Sequence, residues 1–287
     1  MPLPEYTSNL KINQAMNLNR VSSFFLSLIV LLAVFLLNMT FAGQIPERIL
    51  FVVRIVLSAF FFAGWLVLRG KKRSAGKLSF ALMAVNLAFF IVSFFSVEMW
   101  NLDLESSKGL ALAKLSDAAI ISIVLLASFF IGGFRPAEIY LARGRLGVGL
   151  LAGLLGFCLM GYLAFRNPDQ PLERGFLAEN WVWILIFIFS NAFMEELLFR
   201  GIFLKPLEGH MKPFWAVVLT SIVFAAAHLQ VTYTSEVLFF CALVLVLGFL
   251  WGLLMNYTKS IIASVLFHAG ADLMIIVPVY ATFGING

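Results

Sequence analysis

Charged side chains are scarce in this sequence of 287 residues. Asp, Glu, Lys and Arg make up 12% of it and hydrophobic residues 62%, with a mean hydropathy of +0.98. Soluble domains contain about 25% charged and about 45–50% apolar residues, so this composition excludes an ordinary soluble domain and indicates a polytopic membrane protein. The net charge of +5 lies mostly in short loops, where it sets membrane topology. We therefore expect the lipid bilayer as a partner and no nucleic acid.

Cysteine is nearly absent. Only Cys158 and Cys241 occur, both within apolar stretches, which excludes a disulfide framework and a cysteine-based zinc knuckle. The first apolar run, residues 21–42, is too long for the core of a cleaved signal peptide. We interpret it as the first transmembrane helix.

Long apolar runs are abundant, and they predict an all-α, polytopic membrane helix bundle of about eight to nine transmembrane helices. A span needs about 20 apolar residues, and in lipid the backbone must satisfy its own hydrogen bonds. The nine candidate spans are 21–43, 48–69, 76–98, 118–134, 146–165, 181–204, 213–229, 236–257 and 260–281. The fourth is the weakest and is at the short end, and residues 101–117 before it are predicted as a solvated loop or an interfacial helix. Arg54 in the second span is expected to snorkel to the interface.

Loop charges predict the orientation. The cytoplasmic loops of membrane proteins are enriched in Lys and Arg, and the loops 69–77, 135–145 and 205–212 are the basic ones, with Lys71 and Lys72 in the first. The segments around Asp103, Asp169 and Glu236 are poorer in basic residues. We predict a cytoplasmic N-terminus and, if all nine spans cross, an external C-terminus.

Ionisable residues inside the apolar spans carry the functional signal. Each costs roughly 2.5–3.5 kcal/mol at the centre of a bilayer. The candidates are Glu195, Glu196, Arg200, His228, His268 and Asp272. Residues four apart share a helix face, so Glu196 and Arg200 are predicted to form a structural ion pair, while Glu195 faces a cavity. Asp272 is likewise four residues after His268 and could orient its imidazole.

These residues, taken in order, resemble a known family of intramembrane proteases. Glu195-Glu196-Leu-Leu-Phe-Arg200, Phe224-Ala-Ala-Ala-His228 and His268-Ala-Gly-Ala-Asp272 are similar to the motifs of the CAAX-protease and bacteriocin-processing family, which includes the type II CAAX prenyl endopeptidases. The resemblance implies that Glu195 and His228 activate a water molecule, and that His268 and Asp272 stabilise the oxyanion. It predicts a catalytic core over 135–287, preceded by transmembrane helices 1–134 without a recognised motif.

The last motif departs from the family pattern, because its CAAX-processing members usually have Asn where this chain has Asp272. An ionised carboxylate cannot donate a hydrogen bond. Asp272 must therefore be protonated to serve an oxyanion, or must only orient His268.

Two chemistries remain open at these residues. The resemblance favours a metal-free water activated by glutamate, with no cofactor. Zinc is possible, since Glu195, His228 and His268 would supply three ligands and leave one open position.

The predicted function is that of an intramembrane endopeptidase acting on a peptide or lipidated protein. A zinc-dependent metalloprotease using the same residues is one alternative. A proton-coupled transporter and a catalytically silent immunity or scaffold protein are the others. We expect an integral multi-pass protein of a prokaryotic plasma membrane.

Overall fold

The computed structural model describes residues 4–70, 73–95, 97–166 and 171–283, and these residues form helices and no strand. The predicted all-α bundle is thereby confirmed. Lys71, Lys72 and Asp169, which entered the prediction of orientation, lie outside the described residues.

Ten α-helices follow one another along the described chain. They are α1 (Pro4–Phe35), α2 (Glu47–Leu68), α3 (Arg73–Val92), α4 (Ser107–Ile131), α5 (Leu146–Arg166), α6 (Phe176–Glu196), α7 (Leu204–Glu208), α8 (Pro213–Ala227), α9 (Val237–Thr258) and α10 (Ile262–Phe283). Two π-helical turns, Leu36–Thr40 and Leu197–Gly201, extend α1 and α6, and short 3₁₀ turns occur at Ala42–Gln44, Val97–Trp100 and Pro136–Ile139.

Eight helical segments of the described chain are long and apolar enough to cross a membrane, so this is an integral membrane protein. One of them runs from Phe176 through the second π turn to Glu208. The predicted seventh span is shorter than expected. It is helical only over Pro213–Ala227, about 22 Å at 1.5 Å per residue, because the polar stretch after His228 does not continue the helix.

The loop or interfacial helix predicted over 101–117 is wrong for most of its length. The transmembrane helix α4 already begins at Ser107, and the side chain of Ser106 caps it by accepting a hydrogen bond from the Gly109 amide. A serine cap satisfies one of the free amides at a helix start. The fourth span is therefore 25 residues long and not at the short end.

The helices that carry the site pack closely against their neighbours. α10 lies parallel to α5, and α8 lies antiparallel to α9. The α5–α10 contact is close because Gly270 faces the backbone of Phe157, where a Cβ would lie 2.5 Å from the Phe157 Cα. Small residues permit such close approach between transmembrane helices.

Arg54 differs from its predicted snorkelling position. It is only 6% exposed, and its Nε donates a hydrogen bond to Asn38 Oδ1 at 2.9 Å. Asn38 in turn donates to Asn86 Oδ1 at 3.1 Å, so polar groups join the first π turn to α2 and α3. The side chain turns inward because these amides offer hydrogen bonds that lipid cannot.

The three basic loops lie together at one end of the bundle. Lys77 pairs with Glu138, and the Tyr140 hydroxyl donates to Glu208 Oε1 at 3.3 Å. The Arg145 amide donates to the Thr258 carbonyl at 2.7 Å, which brings the end of α9 to the same place. The α8 helix therefore starts at this basic end and leads inward to His228.

Candidate active site

The candidate site is built around the place where α6 changes its helical pitch. Glu195 and Glu196 end the regular helix, and Leu197–Gly201 forms a π turn with Arg200 in it. Single π turns inside α-helices are frequent at functional sites. The turn packs on the first π-turn region of the chain, because the rings of Phe199 and Phe35 stack at 4.5 Å.

Arg200 forms the predicted ion pair with Glu196. Its Nη1 lies 2.6 Å from Glu196 Oε1, and neither side chain is exposed. The Nε donates to the Gly248 carbonyl at 3.2 Å, while the guanidinium lies over the ring of Phe224 at 4.6 Å. A Cβ on Gly248 would lie 2.7 Å from Nη2 of Arg200, so α9 needs glycine here.

His268 lies among three carboxylates. Its Nδ1 is 2.9 Å from Glu196 Oε1, and its Nε2 is 3.5 Å from Glu195 Oε2 and 3.6 Å from Asp272 Oδ1. The Trp251 ring stacks on the imidazole at 3.9 Å. The carboxylate nearest to the ring is therefore Glu196 and not Asp272, so Glu196 links the ion pair to the histidine.

Asp272 has a second partner. Its Oδ2 accepts a hydrogen bond from Asn191 Nδ2 at 3.1 Å. Asn191 is on α6, one turn before Glu195, and both are 7% exposed. The departure from the family pattern at position 272 is thus accompanied by an amide side chain next to it.

His228 follows the last residue of α8. Its Nδ1 lies 2.8 Å from the Phe224 carbonyl, which can only accept a hydrogen bond, so in the neutral ring Nε2 carries the lone pair. The ring contacts the edges of Phe224 and Phe240, and the charge of Glu195 acts on it. The hydroxyl of Thr40 donates to the Ala226 carbonyl at 3.2 Å, which connects the N-terminal helix to this end of α8.

The loop between α8 and α9 brings a tyrosine close to the site. Burial, followed by the negative charges of Glu195 and Asp272, raises the pKa of Tyr233 well above its usual value. Its ring packs on Phe240 at 5.3 Å, next to His228. The phenol consequently remains protonated and can donate a hydrogen bond.

The predicted zinc ligands do not converge. Within the part of the chain that the structure describes, no group of three or more His, Cys, Asp or Glu side chains is arranged to hold a metal ion. The set of Glu195, His228 and His268 therefore does not fit a metal as it stands.

Five of the six predicted residues are joined by contacts of 3.6 Å or less: Glu195, Glu196, Arg200, His268 and Asp272. His228 lies beside them. The sequence reasoning missed Asn191, although its spacing of four residues from Glu195 was a usable signal. It also missed Trp251, Gly248 and Tyr233, for which the sequence contains no comparable pattern.

Part of the chain matches a known protein family. Residues 177–274 match the family described as type II CAAX prenyl endopeptidase Rce1-like. The predicted resemblance is thereby confirmed over this segment. No curated protein and no solved structure matches the chain.

The Rce1-like segment runs from the start of α6 into α10 and contains all six predicted site residues. The family is one of proteases, which supports a hydrolase of the endopeptidase class with a protein or peptide substrate in a membrane. Helices α1 to α5 lie outside the matched segment.

Proposed function

We propose that this protein is an intramembrane endopeptidase, which hydrolyses a peptide bond of a membrane-associated or lipidated peptide with a water molecule activated by Glu195. The observation that carries the proposal is the position of His268 Nε2, 3.5 Å from Glu195 and 3.6 Å from Asp272. An acid–base group and a hydrogen-bond donor thus face one small volume, as hydrolysis of an amide requires.

Each residue has a proposed part in the reaction. Glu195 takes a proton from the water as its oxygen bonds to the scissile carbonyl carbon, and later returns the proton to the leaving nitrogen. His228 accepts the proton that remains on the new carboxyl group through the lone pair of Nε2, since its Nδ1 donates to the Phe224 carbonyl. His268, protonated on both nitrogens, donates from Nδ1 to Glu196 and from Nε2 to the oxyanion.

An apolar cavity of about 600 Å³ lies between α5, α6 and α10, and we assign it to the apolar part of the substrate. Its lining includes Ile188 of α6, which is one turn before Asn191, and Leu273, which follows Asp272. The cavity therefore lies along the helices that carry Glu195 and His268, and no predicted site residue lines it.

We propose a metal-free reaction and route no step through zinc. Among the residues that the structure describes, no three His, Cys, Asp or Glu side chains are arranged to hold a metal ion. The alternative is tested directly by adding a chelator.

The decisive experiment measures cleavage of a membrane-anchored peptide library by the purified protein in proteoliposomes, with new termini read by mass spectrometry. Glu195→Gln is expected to lower the rate by about 100-fold or more, because it removes the base and keeps the volume. Glu179→Gln is the matched control, since Glu179 is exposed at the start of the same helix.

Three outcomes would contradict the proposal. Wild-type protein that cleaves no peptide would contradict the endopeptidase assignment. A Glu195→Gln variant with wild-type turnover would contradict the role of Glu195 as the base. Loss of wild-type activity on chelation, restored by added zinc, would replace the metal-free reaction by the metalloprotease alternative.

A further inference from the structure

Asn191 carries a buried polar atom whose partner is missing. The side chain is 7% exposed, and its Nδ2 donates to Asp272 Oδ2 at 3.1 Å. Its Oδ1 is buried and has no hydrogen-bond partner among the described residues. Buried acceptors in native proteins are nearly always satisfied, so this oxygen is expected to receive a donor that the chain itself does not supply.

Asp272 fixes the orientation of the amide. The Nδ2 of Asn191 donates to Asp272 Oδ2, so the NH₂ group of Asn191 faces Asp272 and its carbonyl oxygen faces away from it. The Nε2 of His268 lies 3.6 Å from Oδ1 of Asp272, so the imidazole faces the same carboxylate at a distance longer than a hydrogen bond. An Asn at position 272 would allow either orientation of the Asn191 amide.

Asn191 and Glu195 are four residues apart in α6 and therefore share one face of this helix. Residues four apart on a helix have Cβ atoms about 5–6 Å apart. A single water molecule that donates to two acceptors at about 2.8 Å joins oxygen atoms about 4.5 Å apart, which side chains at this spacing can present. Two protein acceptors on one helix face therefore match the two O–H groups of one water.

We propose that Asn191 holds the attacking water together with Glu195. The water donates one proton to Asn191 Oδ1 and the other to Glu195, which leaves its lone pair free to face the scissile carbonyl. During attack the O–H bond towards Glu195 breaks and a C–O bond forms, and the proton passes from Glu195 to the nitrogen when the C–N bond breaks. Asn191 changes no covalent bond. This inference rests on the proposed function.

The first test replaces Asn191 by leucine, which has a similar volume and no acceptor. We expect kcat to fall by about 100-fold, since misplacement of a reactant has effects of this size, while KM stays the same. Asn180→Leu is the matched control on the same helix, because Asn180 donates only to the Phe176 carbonyl in its own first turn. Both variants are compared at equal folded fraction, measured by thermal unfolding and gel filtration.

A second test exchanges the two side chains. In the double variant Asn191→Asp and Asp272→Asn, the carboxylate at 191 accepts from the amide at 272 and keeps one oxygen as an acceptor for water. We expect kcat at least tenfold above that of Asn191→Leu, or within tenfold of the wild type if the leucine variant does not fold. The single change Asn191→Asp places two carboxylates together and is expected to be inactive.

The results separate this inference from the proposed function. If the wild type is active, Glu195→Gln is inactive and Asn191→Leu keeps the wild-type kcat, the role of Asn191 is wrong and the protease assignment stands. A folded double variant with kcat reduced 100-fold or more would also overturn the inference. If the wild type cleaves nothing, the proposed function fails first.

Discussion

Individual residues decide the chemistry, and the sequence predicted only part of their arrangement. The Glu196–Arg200 pair follows from helical spacing alone, so it could be predicted and is present. The contact of Glu196 with His268 joins residues 72 positions apart, and such a contact depends on how α6 and α10 pack. The same holds for Asn191 and Asp272. Local periodicity shows which residues share a face, but not which faces meet.

Removal of Arg200 tests the structural part of the site. Arg200→Ala is expected to lower the free energy of unfolding by about 3–5 kcal/mol, because it leaves a fully buried Glu196 without its cation. The measurement is thermal or denaturant unfolding in detergent. Arg143→Ala is the control, since Arg143 is exposed and its removal should change little. Equal stability of the two variants would contradict the structural role of the pair.

The positions of the helices were predicted well where apolar runs are long. The ends of the helices were predicted poorly where polar residues determine them. The start of α4 at Ser107 depends on the Ser106 cap, which lies in a segment with mixed periodicity. The end of α8 at Ala227 and the π turn at Leu197–Gly201 have no clear pattern in an apolar run. The end of α8 is followed by His228, and the π turn contains Arg200. Departures from regular helix at functional sites are expected, because they redirect side chains.

Close packing between α5 and α10 gives a prediction for this pair of helices. Gly270→Ala should destabilise the protein by about 1–3 kcal/mol, because its Cβ would lie 2.5 Å from the Cα of Phe157. Gly147→Ala in α5 is the control, since nothing lies within 4 Å of a Cβ there and alanine favours a helix over glycine. Unfolding of both variants in detergent checks the prediction. A Gly270→Ala variant as stable as the wild type would show that the two helices can separate without cost.

At the scale of the whole molecule, the N-terminal helices are packed against the segment that carries the site. Buried side chains of α1, α3 and α4 share one hydrophobic core with those of α6, α8 and α9. The Thr40 hydroxyl binds the Ala226 carbonyl beside His228. The predicted division into 1–134 and 135–287 stays a prediction about motifs, since the core itself crosses the boundary.

The clustering of the basic loops predicts how the bundle lies in the membrane. Lys77 contacts Glu138, and Tyr140 contacts Glu208, at one end. The excess of Lys and Arg there predicts that this end faces the cytoplasm. In a variant without Cys158 and Cys241, single cysteines at Arg143 and Lys212 should react with an impermeant thiol reagent only from the cytoplasmic side.

Cysteines at Asp103 and Ser235, both exposed, should react only from the opposite side. Asp103 precedes α4, and Ser235 lies between the inner end of α8 and the start of α9. Ser235 is the sharper of the two positions, because α8 is only about 22 Å long at 1.5 Å per residue. The residues from 228 to 236 must therefore complete the crossing.

If Lys212 and Ser235 react from the same side, α8 enters and leaves the membrane by one face, and the spans beyond it have the opposite orientation to the one predicted. His228 would then be reached from the cytoplasm, and the substrate would have to approach from that side.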